Sequence, residues 1–337
     1  MDVDRIRLLG EPQLVIDSPA GSLRSLDASP NGVLLYNPTL ELDQLTWLDR
    51  AGRTVGTLGE PGLIFSARLS PDGKRVAANR ASTLWLGELE RDVWGRFSFQ
   101  PGEQGWPVWS PDSRTVMFRS GSPPNIYRKE ARGSGTEHRV AESANAQFPT
   151  DWSRDGHFLL YYEPSPETKR DLWVLTVGTD GRPEPGSKPR AYLRTRFNEF
   201  GGRFSPELSP RWVSYTSDET GRDEVFVQSF PEARGKWQIS TGGGRSAEWN
   251  PNGGELIYLT LENKLMSVTL KLGADTLEAS APRELFTLPA QRVQGPFPFT
   301  ITSDGKRFLV RAAHEQDLML EVILNWPALL KGKASSQ

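Results

Sequence analysis

A short phrase that recurs along the whole chain constrains the fold more than any other feature. Its cleanest copy reads Leu69-Ser70-Pro71-Asp72-Gly73-Lys74-Arg75. Related copies are Ala28-Ser29-Pro30-Asn31-Gly32, Trp109-Ser110-Pro111-Asp112-Ser113, Trp152-Ser153-Arg154-Asp155-Gly156, Phe204-Ser205-Pro206-Glu207, Trp249-Asn250-Pro251-Asn252-Gly253 and Ile301-Thr302-Ser303-Asp304-Gly305. The second residues of the seven copies (29, 70, 110, 153, 205, 250, 302) lie 40 to 52 residues apart. That period, in a chain of short strands and tight turns, predicts the blades of a β-propeller.

The third copy shows how one blade is written. Trp106-Pro107-Val108-Trp109 is short and apolar and reads as the innermost strand. Ser110-Pro111-Asp112-Ser113 makes the turn, because proline presets φ and aspartate bonds its own backbone. Thr115–Phe118 is the second strand, Asn125–Lys129 alternates as a half-exposed third, and His138–Val140 is a polar fourth. Such a sheet has two apolar faces and must stack against neighbours on both sides. The large residue before each turn (Trp109, Trp152, Phe204, Trp249) is expected between adjacent blades.

The predicted fold class is therefore all-β: a single propeller of four-stranded antiparallel blades over residues 1–326, with a tail at 327–337. The motif count gives seven blades, with six as the alternative. After the seventh copy, Arg307–Arg311 and Leu318–Leu324 read as second and third strands, and no fourth follows. An N-terminal strand at about 12–17 is expected to complete that last blade, which removes exposed sheet edges.

Composition narrows the function classes. The formal net charge is −2 and no long run of one sign occurs, so no nucleic-acid footprint shows. The chain has no cysteine, which excludes disulfides, thiolate metal sites and cysteine nucleophiles. Residues 1–5 lack the apolar core of a secretory signal, and no apolar run is long enough for a membrane helix. The expectation is a soluble monomer with no membrane insertion.

No catalytic constellation is legible. The three histidines, His138, His157 and His314, fall in different repeats, so neither a histidine metal cluster nor a serine–histidine dyad is expected. No Gly-x-Ser-x-Gly elbow occurs. The turn acids Asp72, Asp112, Asp155 and Asp304 read as turn caps. Ser217–Asp223 carries three acids but departs from an EF-hand loop, and Gly242-Gly243-Gly244-Arg245 is not followed by a helix that would make it a phosphate cradle. No cofactor or metal is expected.

What remains is a surface. Loops that enter the inner strands gather at one mouth of a propeller's channel. Here they hold Phe65, Gln104, Trp106, Gln147, Phe148, Asn198, Glu199, Arg203, Arg245, Glu248 and Arg292. Such a mixture of aromatic, amide and charged groups suits a protein, peptide or small polar ligand.

The phrase Ser-Pro-Asp-Gly-Lys-Arg before an apolar strand resembles the WD40-like, or TolB-like, propeller repeat of bacteria. Four further stretches, Leu45–Arg53, Phe148–Ser153, Thr216–Arg222 and Leu324-Asn325-Trp326, resemble propellers attached to the extracytoplasmic side of bacterial serine/threonine protein kinases. The resemblance implies a periplasmic or extracytoplasmic sensing or docking domain, with kinase and membrane helix upstream. TolB-like propellers are described as six-bladed. The reading is a non-catalytic propeller that binds its partner at the channel mouth, as the sensor or interaction domain of an envelope signalling protein. The alternative is a carbohydrate lyase or hydrolase with a metal in the channel, for which His157, Asp151 and Glu248 would be the nearest ligands.

Overall fold

The computed structural model describes residues 26–29, 31–36, 42–132, 135–273, 275–289, 297–314 and 321–325. All its regular structure is β, so no helix among these residues is long and apolar enough to cross a membrane. The chain divides into two compact units, Leu42–His314 and the joined ends Met1–Glu41 with Glu315–Gln337. The expected strand at 12–17 and the tail at 327–337 lie outside the described residues.

Within Leu42–His314 there are six sheets, each built around four antiparallel strands. Blade 1 is Ile64–Leu69, Arg75–Arg80, Thr83–Glu88 and Val93–Arg96, and blade 2 is Gly105–Trp109, Thr115–Gly121, Pro124–Glu130 and His138–Arg139. Blade 3 is Phe148–Trp152, Phe158–Ser165, Lys169–Thr176 and Arg190–Leu193. Blade 4 is Glu199–Phe204, Trp212–Ser217, Glu224–Ser229 and Lys236–Gln238. Blade 5 is Arg245–Trp249, Glu255–Leu259, Lys264–Leu272 and Arg283–Thr287, with Leu277–Ala279 added on the far end of its third strand. Blade 6 joins Phe299–Ile301 and Arg307–Ala313 to Asp43–Asp49 and Thr54–Gly62.

The first phrase copy turns between Leu26–Ala28 and Val33–Tyr36, which with Glu321–Leu324 form a three-stranded sheet in the other unit. Seven copies thus meet seven sheets, each copy joining the first strand of its sheet to the second. Closure by N-terminal strands is seen, but the strands differ from those expected. Asp43–Asp49, not Leu318–Leu324, is the third strand beside Arg307–Ala313, and Val322 and Ile323 pair with Leu35 and Leu34 instead. The sequence reading gave Asp43–Asp49 no place in the last blade. The observed pairing joins residues more than 250 positions apart, which no local pattern encodes.

Period-two alternation explains the stacking. In blade 2, Val116 and Phe118 pack with Ala77 and Leu84 of blade 1, while Met117 between them packs with Trp152 and Leu159 of blade 3. In blade 3, Leu159 and Tyr161 face blade 2, and Leu160 and Tyr162 face Phe204 and Val213 of blade 4. Similar clusters join blades 4 and 5 around Trp212 and Trp249, blades 5 and 6 around Ile257 and Phe308, and blades 6 and 1 around Leu45 and Val76. The apolar interfaces therefore run from each blade to the next and return to the first.

The aromatics before the turns lie in these interfaces, as expected. Trp109 also donates its indole N–H to the Arg68 carbonyl (2.9 Å), and Trp249 donates to that of Arg203 (3.2 Å). Each bond crosses to the preceding inner strand. Burying one such ring contributes about 2–3 kcal/mol.

The phrase itself is a hydrogen-bonded device. The Ser110 hydroxyl donates to Asp112 Oδ1 (2.6 Å) and accepts from the N–H of Thr115 (2.9 Å), and Asp112 Oδ1 also accepts from the N–H of Arg114 (3.0 Å). Ser70/Asp72, Ser153/Asp155 and Thr302/Asp304 repeat the arrangement. Where Glu207 replaces the aspartate, Ser205 still accepts from the N–H of Trp212 (3.1 Å), across a turn made longer by Leu208-Ser209-Pro210.

Ser110 is fully buried, so its removal strands the Thr115 N–H. We expect Ser110→Ala to cost about 1–3 kcal/mol, read as a lower urea midpoint at unchanged slope. Asp304 gives a second expectation. The Thr302 hydroxyl and the Lys306 N–H hold its carboxyl below the usual value. A depressed folded pKa contributes stability above the unfolded value that is lost as pH falls through the folded one. Asp304→Asn should therefore flatten the acid limb of a stability–pH profile below about pH 4.

Candidate functional site: the channel mouth

The inner strands of five blades are interrupted where they start. The register against the second strand shifts at Ile64/Ser66, between Gly105 and Val108, at Pro149/Asp151, at Phe200/Arg203 and at Arg245/Glu248. Such bulges bend a strand and re-aim its side chains. Three use a left-handed residue, Trp106 (φ 53°), Gly201 (φ 66°) and Ser246 (φ 54°). Carbonyls near these bulges are capped from the next blade or the last. Asn79 donates to Gln104 O, Arg203 to Thr150 O, and Arg311 to Ile64 O (3.1 Å) and Phe65 O (2.8 Å).

Below the bulges four charged side chains converge on the axis. Arg68 of blade 1 pairs with Glu248 of blade 5 at 2.7 Å, and Arg203 of blade 4 pairs with the same carboxylate at 2.9 Å. Arg203 also lies 3.7 Å from Asp151 of blade 3, whose Oδ2 accepts from the N–H of Phe204 (2.8 Å). The Phe297 ring lies against both guanidinium groups, 4.8 Å from Arg68 and 4.5 Å from Arg203. Burial raises the Asp151 carboxyl, opposed by Arg203 and Arg68. Burial and the nearby Arg68 pull Arg203 down to about 10, so it stays cationic at neutral pH.

Arg203 and Glu248 line two cavities, one on each side of this quartet. The cavity at the phrase turns is about 510 Å³ and is walled by Trp109, Trp152, Phe204 and Trp249. The cavity at the bulged ends, about 450 Å³, is the mouth anticipated from the sequence. Both volumes lie in the range of small-ligand sites.

Of the residues expected at the mouth, Trp106, Asn198, Arg203, Arg245 and Glu248 line the cavity together. Phe148 supports it from behind: its ring stacks on Tyr162 at 4.6 Å and meets Trp106 edge-on at 5.0 Å. Arg119, paired with Glu103 (2.6 Å), covers both Trp106 and Phe148. Gln104, Gln147 and Glu199 are instead buried and occupied in holding loops. Gln104 accepts from Ser98, Gln147 donates to Glu163 (2.8 Å), and Glu199 accepts from Thr195. Phe65 is exposed and does not line this cavity, and Arg292 lies outside the described residues.

Sequence reasoning passed over Tyr162, Arg170, Phe200 and Asp223, all of which line the cavity. Arg170 and Asp223 come from hairpins between second and third strands. Strands alternate in direction, so those hairpins reach the same face as the loops into the inner strands. That alternation is the signal that could have found them.

The remaining motifs are spent internally. The turn acids cap backbone N–H groups, as the phrase geometry shows. In the acidic hairpin, Asp218 pairs with Lys169 (2.5 Å) and Glu219 with Lys236 (2.7 Å). The N–H groups of Gly243 and Gly244 bond Glu224 Oε1 (2.9 Å) and the Asp223 carbonyl (2.8 Å). Among the described residues, no group of three or more histidine, aspartate or glutamate side chains is placed to hold a metal ion.

No protein-family model and no curated protein sequence matches the chain. Solved structures do. A TolB protein of Agrobacterium tumefaciens superposes with a TM-score of 0.60 at 16% identity, over 82% of this chain and 100% of that one. TolB of Acinetobacter baumannii gives 0.53 at 15% identity, over 84% of this chain and 65% of that one. A chain of Kuenenia stuttgartiensis hydrazine synthase gives 0.54 at 13% identity, over 93% of this chain and 100% of that one. At these identities the likeness is one of fold: this is a β-propeller similar to that of TolB. The fold alone does not choose between binding and catalysis.

Two outcomes test the geometry of the site. Removing one partner of a buried ion network leaves the others uncompensated, so Arg203→Met should cost about 3 kcal/mol in urea unfolding. Glu199 behaves oppositely. Burial pushes its carboxyl up from 4.5 to about 7, with Asp171 adding to the shift against the Thr195 hydroxyl. Its contribution to stability is therefore full below 4.5 and lost as pH rises through about 7. Glu199→Gln should be more stable than the parent at about pH 8, and the gain should shrink toward about pH 5.

Proposed function

We propose that the chain is a non-catalytic binding module that takes a protein segment, peptide or small polar ligand at the bulged mouth of its channel. The observation that carries this reading is the composition of the 450 Å³ cavity: aromatic faces from Trp106, Tyr162 and Phe200 beside the charged groups Arg170, Arg245 and Asp223. A few polar groups set among apolar walls are what orients a ligand and selects it. The quartet forms a floor, so a ligand is read at its end rather than threaded through. The TolB-like fold and the resemblance of Leu45–Arg53 and Thr216–Arg222 to kinase-associated propellers support a role as the sensor or interaction domain of a bacterial envelope signalling protein.

Selection of binders from a displayed peptide library tests the reading. Binders should lose at least about tenfold in affinity against Trp106→Ala, since truncating an aromatic anchor costs about 2 kcal/mol or more. They should be indifferent to Leu208→Asp, an exposed residue beside the fifth phrase turn. The reverse pattern would move the binding surface to the phrase-turn end and sink this proposal.

A further inference from the structure

We infer that the mouth selects a carboxylate that lies next to an apolar or aromatic group, and that Arg170 and Arg245 are the groups that hold it. This rests on the binding role proposed above and names the ligand class.

Arg68 and Arg203 are spent on Glu248, and Arg119 on Glu103. Arg170 and Arg245 both line the cavity, and among the described residues neither side chain has a hydrogen bond or an ion pair. The Arg170 guanidinium lies over Phe200 (4.9 Å) and Tyr162 (5.7 Å). Those ring contacts consume none of its hydrogen bonds. Its N–H donors lie in the plane and remain for a ligand. Arg245 is partly buried on the bulged start of its strand. Its donors are likewise uncommitted and face the cavity that a ligand would fill.

Charge sets the class. Asp223 lies between these arginines electrostatically: its carboxyl feels both, yet pairs with neither within 4.0 Å. Two guanidinium groups against one carboxylate leave a single positive charge, which a monoanion neutralises and a phosphate dianion over-compensates. Guanidinium matches carboxylate with paired, charge-assisted bonds. The rings of Phe200 and Tyr162 then flank the position next to that carboxylate, where an apolar group loses water. Either a free arylalkyl acid or the C-terminal end of a peptide presents this combination.

Calorimetric titration of the whole chain tests the inference with four probes: N-acetylphenylalanine, its amide, a hexapeptide ending in a free phenylalanine carboxylate, and the same peptide amidated. Binding of the acids and at least about tenfold weaker binding of the amides is the expected result, since a charge-assisted bond contributes about 1.5–3 kcal/mol. Binding by both acids identifies a small acid as sufficient, whereas binding by the peptide acid alone identifies a chain end. Arg170→Gln and Arg245→Gln should each weaken the acids about tenfold and leave the amides unchanged. Asp223→Asn removes the competing anion and should tighten the acids, which keeps the test sharp if an arginine variant fails to fold. Equal affinity for acids and amides, competition by inorganic phosphate at equal concentration, or no acid binding would overturn the carboxylate assignment. The broader binding role would survive any of these if library-selected peptides still depend on Trp106, and would fall with it if they do not.

Discussion

The fold depends on one seam. Asp43–Asp49 pairs with Arg307–Ala313 through seven consecutive residue pairs, and this single ladder makes the last blade from both sides of the chain. Without it, Arg307–Ala313 would carry an open edge, and the apolar face holding Leu48 and Phe308 would lose its partners in blade 5. A stack of blades can nucleate anywhere along its length, but it leaves two raw ends. The seam removes both. It also fixes the position of Arg311, whose side chain caps the bulge carbonyls of blade 1.

Closure places the inner strands around an axis, and that geometry generates the site. Arg68, Asp151, Arg203 and Glu248 come from blades 1, 3, 4 and 5, and none could meet outside the ring. Two cations and two anions satisfy one another there and divide the channel. The two ends then differ in chemistry. One is walled by the ring of aromatics before the phrase turns, the other by bulged backbone and unspent arginine donors.

Much of the blade architecture was legible because it is local. Ser110, Asp112 and Thr115 are within five positions of one another, so the turn chemistry is written in one stretch of sequence. The alternation of Val116, Met117 and Phe118 likewise announces two buried faces. The mouth was half legible. Trp106, Asn198 and Arg245 line it because they precede or begin inner strands, whereas Gln104, Gln147 and Glu199 occupy equivalent places and are buried. The difference lies in their partners, Ser98, Glu163 and Thr195, which draw these polar groups into loop hydrogen bonds.

The sequence by itself determined the repeating unit, the hydrogen-bonded turn that marks each unit, and the need for each sheet to bury two faces. These follow from residue spacing and from the period of a strand. The tertiary structure alone decided which strands close the ring and which arginines are spent. Pairing Leu45 with Arg311, or setting Arg245 near Asp223 and Arg170, is a matter of distance through space between blades, and spacing along the chain carries no record of it.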